Sequence, residues 1–232
     1  MTKGFPMLLR VAERKSEPRI RPVGAWLLSL LTLLWLGLMA PAQADDETPT
    51  LMVFGDSLSA AYGIEQEEGW VSLLAERLGD RARVINASIS GETTAGGAAR
   101  LPDLLRQHDP QLVLLELGGN DGLRGLPPAQ MRNNLTRMIE ESQQAGAEVL
   151  LLGIDIPPNY GQAYRDAFTA VYYDLADEYA LPLVPFLLEN VALEAALMQR
   201  DGIHPTASAQ PLILDNVWPE LDAMLEEPAR QE

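Results

Sequence analysis

Cysteine is absent from the 232-residue chain, and histidine occurs only twice. Without a thiol there is no disulfide framework, thiolate zinc site, iron–sulfur cluster or cysteine nucleophile. Two histidines leave little with which to build an ordinary zinc enzyme, so no metal is expected. No cofactor is expected either. Positive charge is also scarce: 17 Lys and Arg face 33 Asp and Glu, for a net charge of −16. Such a surface repels phosphate backbones and anionic lipid, which argues against nucleic-acid binding. Neither G-x-x-x-x-G-K-[ST] nor G-x-G-x-x-G occurs, so no nucleotide-phosphate cradle is expected.

The few cations are unevenly placed. Lys3, Arg10, Arg14, Lys15, Arg19 and Arg21 stand against Glu13 and Glu17 in residues 1–44, leaving 11 cations, all Arg, and 31 anions beyond them, a net charge of −20. After the basic stretch, an apolar run from Ala25 to Ala40 leads into Pro41-Ala42-Gln43-Ala44-Asp45. Small residues at 42 and 44 form the A-x-A pattern accepted by signal peptidase, predicting a signal peptide over 1–44. A core helix would show a polar face, and this run is apolar all round. A membrane anchor needs about 20 apolar residues, whereas this run ends at Pro41. The expected location is periplasmic or secreted, with an inner-membrane anchor as the alternative. No stable membrane insertion is expected once the signal is cleaved.

Residues 45–232 then form one domain. Apolar runs recur at Leu51–Phe54, Val84–Ile85, Leu112–Leu115, Val149–Ile154 and Leu183–Phe186. Hydrophobic at consecutive positions, they read as five parallel strands covered on both faces. Helical spacing fills about 69–79, 94–107, 128–145, 162–180 and 206–226. Strand alternating with helix predicts an α/β sandwich with its site beyond the carboxyl ends of the strands. Pro219 should kink or end the last helix.

Candidate chemistry lies at those strand ends. Ser57, in Gly55-Asp56-Ser57-Leu58, reads either as a nucleophile at a strand-to-helix turn or as an N-cap for the helix expected after it. Gly91, in Asn86-Ala87-Ser88-Ile89-Ser90-Gly91, is either an N–H donor to an oxyanion or a turn glycine. Asn120, in Gly118-Gly119-Asn120-Asp121-Gly122, is a second donor or a turn former. In Asp201-Gly202-Ile203-His204-Pro205, a carboxylate three residues before an imidazole can bond one ring nitrogen and leave the other as a general base. His108, at an expected helix end, is explained by its charge there.

Taken together, these four segments resemble the GDSL, or SGNH, hydrolases, whose Ser, Gly, Asn and His match Ser57, Gly91, Asn120 and His204. The likeness spans about Leu51 to Leu225. It implies a flavodoxin-like three-layer α/β/α sandwich with a five-stranded parallel sheet in the order 2-1-3-4-5. It further implies a metal-independent serine esterase or thioesterase acting on aryl esters, acyl thioesters or lysophospholipids. By the same resemblance Ser57 is the nucleophile, His204 the base and Asp201 its orienter. Ser57 N–H, Gly91 N–H and the Asn120 amide form the oxyanion hole. The loop from Asp121 to Pro128 moves with substrate in the family. Asp121, Gly122, Leu123, Leu126, Ile156, Pro157 and Tyr160 are expected at the acyl groove. Relatives often place Gly where this chain has Ala61, which should narrow the pocket mouth. The partner is a small acyl ester or lipid, and a monomer is expected. A carbohydrate deacetylase of the same fold is the alternative, followed by a binding module without chemistry.

Overall fold

The computed structural model describes residues 48–226. The expected signal peptide therefore lies outside the described residues. Five strands, β1 (Thr50–Gly55), β2 (Arg83–Asn86), β3 (Leu112–Glu116), β4 (Glu148–Leu152) and β5 (Leu183–Val184), form one sheet in the order β2-β1-β3-β4-β5. All pairings are parallel. β1 and β3 are buried throughout, which is why their sequences lack polar alternation. β2 differs from the fully covered strand expected, because as an edge strand it is only half-buried. β5 is shorter than its apolar run and stops before Pro185, whose nitrogen cannot donate to a ladder.

The helices are α1 (Trp70–Leu78), α2 (Thr94–His108), α3 (Gly119–Leu123), α4 (Pro128–Gln144), α5 (Gln162–Tyr179) and α6 (Gln210–Glu226). α1 packs against α6, while α2, α4 and α5 pack side by side. The sheet between these two groups makes the three-layer sandwich. Apolar positions explain each contact face. On α2, Ala98, Leu101 and Leu105 are buried, and Thr93 caps the first turn by accepting from Gly96 N–H. α4 begins with Pro128, whose missing N–H is unneeded there, and buries Met131, Leu135, Met138 and Ile139. Each such fully buried side chain contributes roughly 1.5–3 kcal/mol.

Two expectations give way. No α-helix follows Ser57: residues 57–63 form successive turns, and the first α-helix begins at Trp70. α6 runs through Pro219 to Glu226. Pro219 lies on the exposed side, as does Asp215, whose carbonyl loses its helical donor and can turn to water, while Val217 and Leu221 keep the opposite face buried.

Strand order reverses at β1, which has β2 on one side and β3 on the other. Such a switch point opens a crevice beyond the strand ends. Ser57 follows β1 and Asn120 follows β3, so both arrive there.

Candidate active site

The register of the sheet sets the floor of the site. Gly55 pairs with Glu116 across β1 and β3, and a Cβ at Gly55 would stand 2.4 Å from Glu116 Oε2. The absent side chain gives the fully buried Glu116 carboxyl its space. Glu116 Oε2 accepts from Asp56 N–H at 3.1 Å and from Ser59 Oγ at 2.8 Å. Asp56 in turn accepts from Leu58 N–H at 3.0 Å and from the Asn120 amide at 2.9 Å. Two buried carboxyl groups thus hold the turn that presents Ser57. Burial, opposed by its hydrogen bonds, raises Asp56 to about 6. Burial and the neighbouring Asp56 charge push Glu116 well above the usual carboxylate range, favouring its protonated form.

Ser57 Oγ lies 2.9 Å from His204 Nε2, and His204 Nδ1 lies 2.7 Å from Asp201 Oδ2. A tight loop makes this second contact possible. Met198 and Pro205 bridge at its base, and Gly202 turns it with φ 69°. Asp201 Oδ1 also accepts the N–H groups of Ile203 and His204, each at 3.0 Å. Hydrogen bonding from the His204 ring, then from these two N–H groups, lowers Asp201 to about 2. The carboxylate therefore stays charged across the neutral range and can hold one imidazole tautomer.

Asn120 sits in the first turn of α3. One of its amide protons goes to Asp56, and since that carboxylate only accepts, the NH₂ group rather than the carbonyl is turned toward Ser57's side of the turn. Neither Ser57 N–H nor Gly91 N–H makes a hydrogen bond among the described residues. Gly91 adopts φ 80°, and its carbonyl accepts from Arg124 at 3.0 Å. His108 ends α2 instead, away from this cluster.

A cavity of about 610 Å³ opens beside Ser57, Asn120 and His204. Of the residues expected at the groove, Leu123, Ile156 and Pro157 line it. Asp121, Gly122, Leu126 and Tyr160 do not. Their contacts explain why. Asp121 is buried and accepts from Thr94 N–H and Oγ1, tying α3 to α2. Gly122 packs where a Cβ would meet Ile156 and Phe168. The hydroxyls of Tyr160 and Tyr164 donate to the carbonyls of Leu123 and Leu126, bracing the segment from outside the cavity. Ala61 also faces away from the cavity, toward Gly69, so it does not narrow the mouth.

Sequence reasoning missed a further stretch of the lining, formed by Phe186, Leu188, Ala192, Leu193 and Met198. These follow β5 in a segment of turns with no periodicity to mark it. It also missed the Asp56–Glu116 pair, although a charged residue ending a wholly buried strand was a usable signal. Among the described residues no cluster of three or more His, Asp or Glu could hold a metal ion.

A doubly wound sheet with a Ser–His–Asp chain of hydrogen bonds at its switch point, opening on an apolar cavity, defines a three-layer α/β/α hydrolase of the kind that cleaves esters through a serine hydroxyl. Residues 53–210 match the GDSL-like lipase/acylhydrolase family, and the chain belongs to that family. It is similar to Esterase TesA of Pseudomonas aeruginosa, 53% identical over 198 residues that cover 84% of this chain and 96% of the relative. It is 48% identical over 190 residues to the thioesterase 1/protease 1/lysophospholipase L1 of Escherichia coli, covering 82% and 89%. A psychrotrophic esterase from a Pseudoalteromonas species, solved inhibited by monoethylphosphonate, superposes with a TM-score of 0.73 at 44% identity, covering 76% of this chain and 98% of that one. The chain is an ester hydrolase, so a binding module without chemistry no longer applies.

Proposed function

We propose that this protein is an exported serine esterase that hydrolyses acyl esters and thioesters, aryl esters and lysophospholipids among them, through an acyl-Ser57 intermediate. The observation that carries the reading is the Ser57–His204–Asp201 chain, 2.9 and 2.7 Å, set at the wall of an apolar cavity. His204 Nε2 takes the Ser57 proton as Oγ attacks the carbonyl carbon. The tetrahedral oxyanion accepts from Ser57 N–H, Gly91 N–H and the Asn120 amide. His204 returns the proton to the leaving oxygen or sulfur, which departs with its electron pair. Water then repeats the sequence and releases the carboxylic acid.

The substrate class follows from the lining. Leu58, Leu123, Ile154, Ile156, Phe186 and Met198 suit an alkyl chain, and the volume lies within the range of small-molecule sites, roughly 300–1,000 Å³. A carbohydrate deacetylase is disfavoured, since these walls give a sugar few hydrogen-bond partners. Excess negative charge favours neutral or zwitterionic substrates over anionic lipid.

Residues 1–44 serve as the export signal in this reading, and the domain from Asp45 acts as a monomer in the periplasm or outside the cell. Among the described residues no helix is long and apolar enough to cross a membrane. The test is a series of chromogenic acyl esters of increasing chain length on the protein starting at Asp45, with fluorophosphonate labelling. Turnover should favour acyl chains longer than acetyl, and label should map to Ser57 and vanish in Ser57→Ala. Labelling at another residue, or preference for acetylated sugar, would defeat the reading.

A further inference from the structure

The turns after Ser57 carry an aromatic ring onto the imidazole. The Tyr62 and His204 ring centroids lie 4.2 Å apart with planes inclined by 34°. The backbone is shaped for this contact: Ala61 and Gly63 on either side take φ of 54° and 74°, a left-handed conformation that is strained for a residue with a Cβ such as Ala61. Gln199 clips the two segments together. Its Nε2 donates to the carbonyls of Tyr62 and Pro205 at 2.8 and 2.9 Å, and its N–H donates to the His204 carbonyl at 2.7 Å. A Cβ at Gly63 would stand 2.4 Å from Gln199 Oε1, so the clip also needs glycine there.

Neither core packing nor hydrogen bonding accounts for the ring. Tyr62 is 50% exposed, which places it outside the core. Its hydroxyl makes no hydrogen bond among the described residues, and it does not line the cavity. What the ring does meet is a side chain that becomes a cation during the reaction. The π-face of an aromatic ring attracts a cation, and does so without hydrogen-bond geometry.

We propose that Tyr62 is a positioning residue for hydrolysis: clipped by Gln199, its ring steadies the His204 imidazole between Ser57 and Asp201 and stabilises the imidazolium formed when Nε2 takes the Ser57 proton. The proposal rests on His204 being the base. The proton passes from Oγ to Nε2 and on to the leaving group, so the favourable contact exists chiefly in the transition states and intermediates. Such a contact raises kcat without changing KM.

The test compares Tyr62→Phe, Tyr62→Leu and progressively fluorinated phenylalanines at the same position, with His204→Ala as reference. Half-exposure of Tyr62 lets all of these fold, and matching thermal midpoints verify it. Tyr62→Phe should retain wild-type kcat, whereas Tyr62→Leu should lose about two- to five-fold, the range of an exposed cation–π contact. Fluorination should lower kcat stepwise with KM constant, because it drains the π-face while keeping the shape. If all ring variants and Tyr62→Leu turn over alike while His204→Ala is inactive, the Tyr62 proposal falls and the base assignment stands. Turnover by His204→Ala would remove the base assignment itself. A rise in KM at constant kcat would make Tyr62 a substrate contact and overturn the positioning role.

Discussion

Asp56→Asn should separate stability from activity in opposite directions. In the wild type the buried carboxyl has a value of about 6 against 3.8 when free. The folded state therefore binds this proton more tightly than the unfolded state, so stability falls as pH rises from about 3.8 to about 6 and stays lower above. At 1.36 kcal/mol per pH unit, holding Asp56 ionised takes about 3 kcal/mol from the fold at neutral pH. Asparagine has no charge to desolvate. Its carbonyl can still accept from Leu58 N–H, but its NH₂ then faces the Asn120 NH₂, and two donors cannot pair. Asn120 relieves the clash by flipping, which presents its carbonyl where the proposed oxyanion needs a donor. Loss of one such donor lowers kcat by roughly 100- to 1,000-fold. Urea unfolding of wild type and Asp56→Asn at about pH 4 and about pH 7.5 should show the variant gaining some 2–3 kcal/mol relative to wild type between the two. Ester hydrolysis should fall to the level of Asn120→Ala. A stability difference independent of pH would refute the desolvation argument, and near-normal kcat would refute the control of Asn120 by Asp56.

Asp201→Asn should reduce kcat by about 10⁴-fold, since the amide stabilises the wrong imidazole tautomer; a loss under tenfold in a steady-state assay would show that Asp201 does not orient His204. Gly122→Ala places a Cβ 2.5 Å from Ile156 Cγ2 and 2.8 Å from the Phe168 ring, so urea unfolding should show about 1–3 kcal/mol of destabilisation from overpacking. An unchanged midpoint would mean that the segment after Asn120 yields at little cost.

The sheet was legible because burial on both faces leaves a plain trace in sequence. Leu112–Leu115 and Val149–Leu152 are apolar at every position, and the structure buries them so. The helices were legible for the related reason that α1, α2 and α4 each bury one stripe. Ser57 and Asn120 could be singled out because each closely follows a strand, and Asp201 with His204 because their three-residue spacing lets a carboxylate reach an imidazole. Contacts set by the approach of distant segments left no such trace. Tyr62 meets His204 across 142 positions, and nothing near either residue announces the other. The wall from Phe186 to Met198 is a chain of turns, whose apolar residues follow no period because they answer to the cavity rather than to a helix or strand.

The missing helix after Ser57 changes how the proposed nucleophile is held. A helix would supply a regular ladder and a dipole that favours negative charge. Here the turn is instead pinned by two buried carboxyl groups, with Glu116 taking Asp56 N–H and Ser59 Oγ, and Asp56 taking Leu58 N–H and Asn120. The Asp56 carbonyl takes the N–H groups of Ser59 and Ala60, so Ser57 N–H is the one amide from 56 to 60 left without a partner among the described residues. The carboxyl groups that satisfy the neighbours of Ser57 leave its own N–H free, where the proposed mechanism needs an oxyanion donor. Desolvating Asp56 and Glu116 lowers stability, and in return the fold gains a stretch from 56 to 60 whose amides are all paired except that of Ser57.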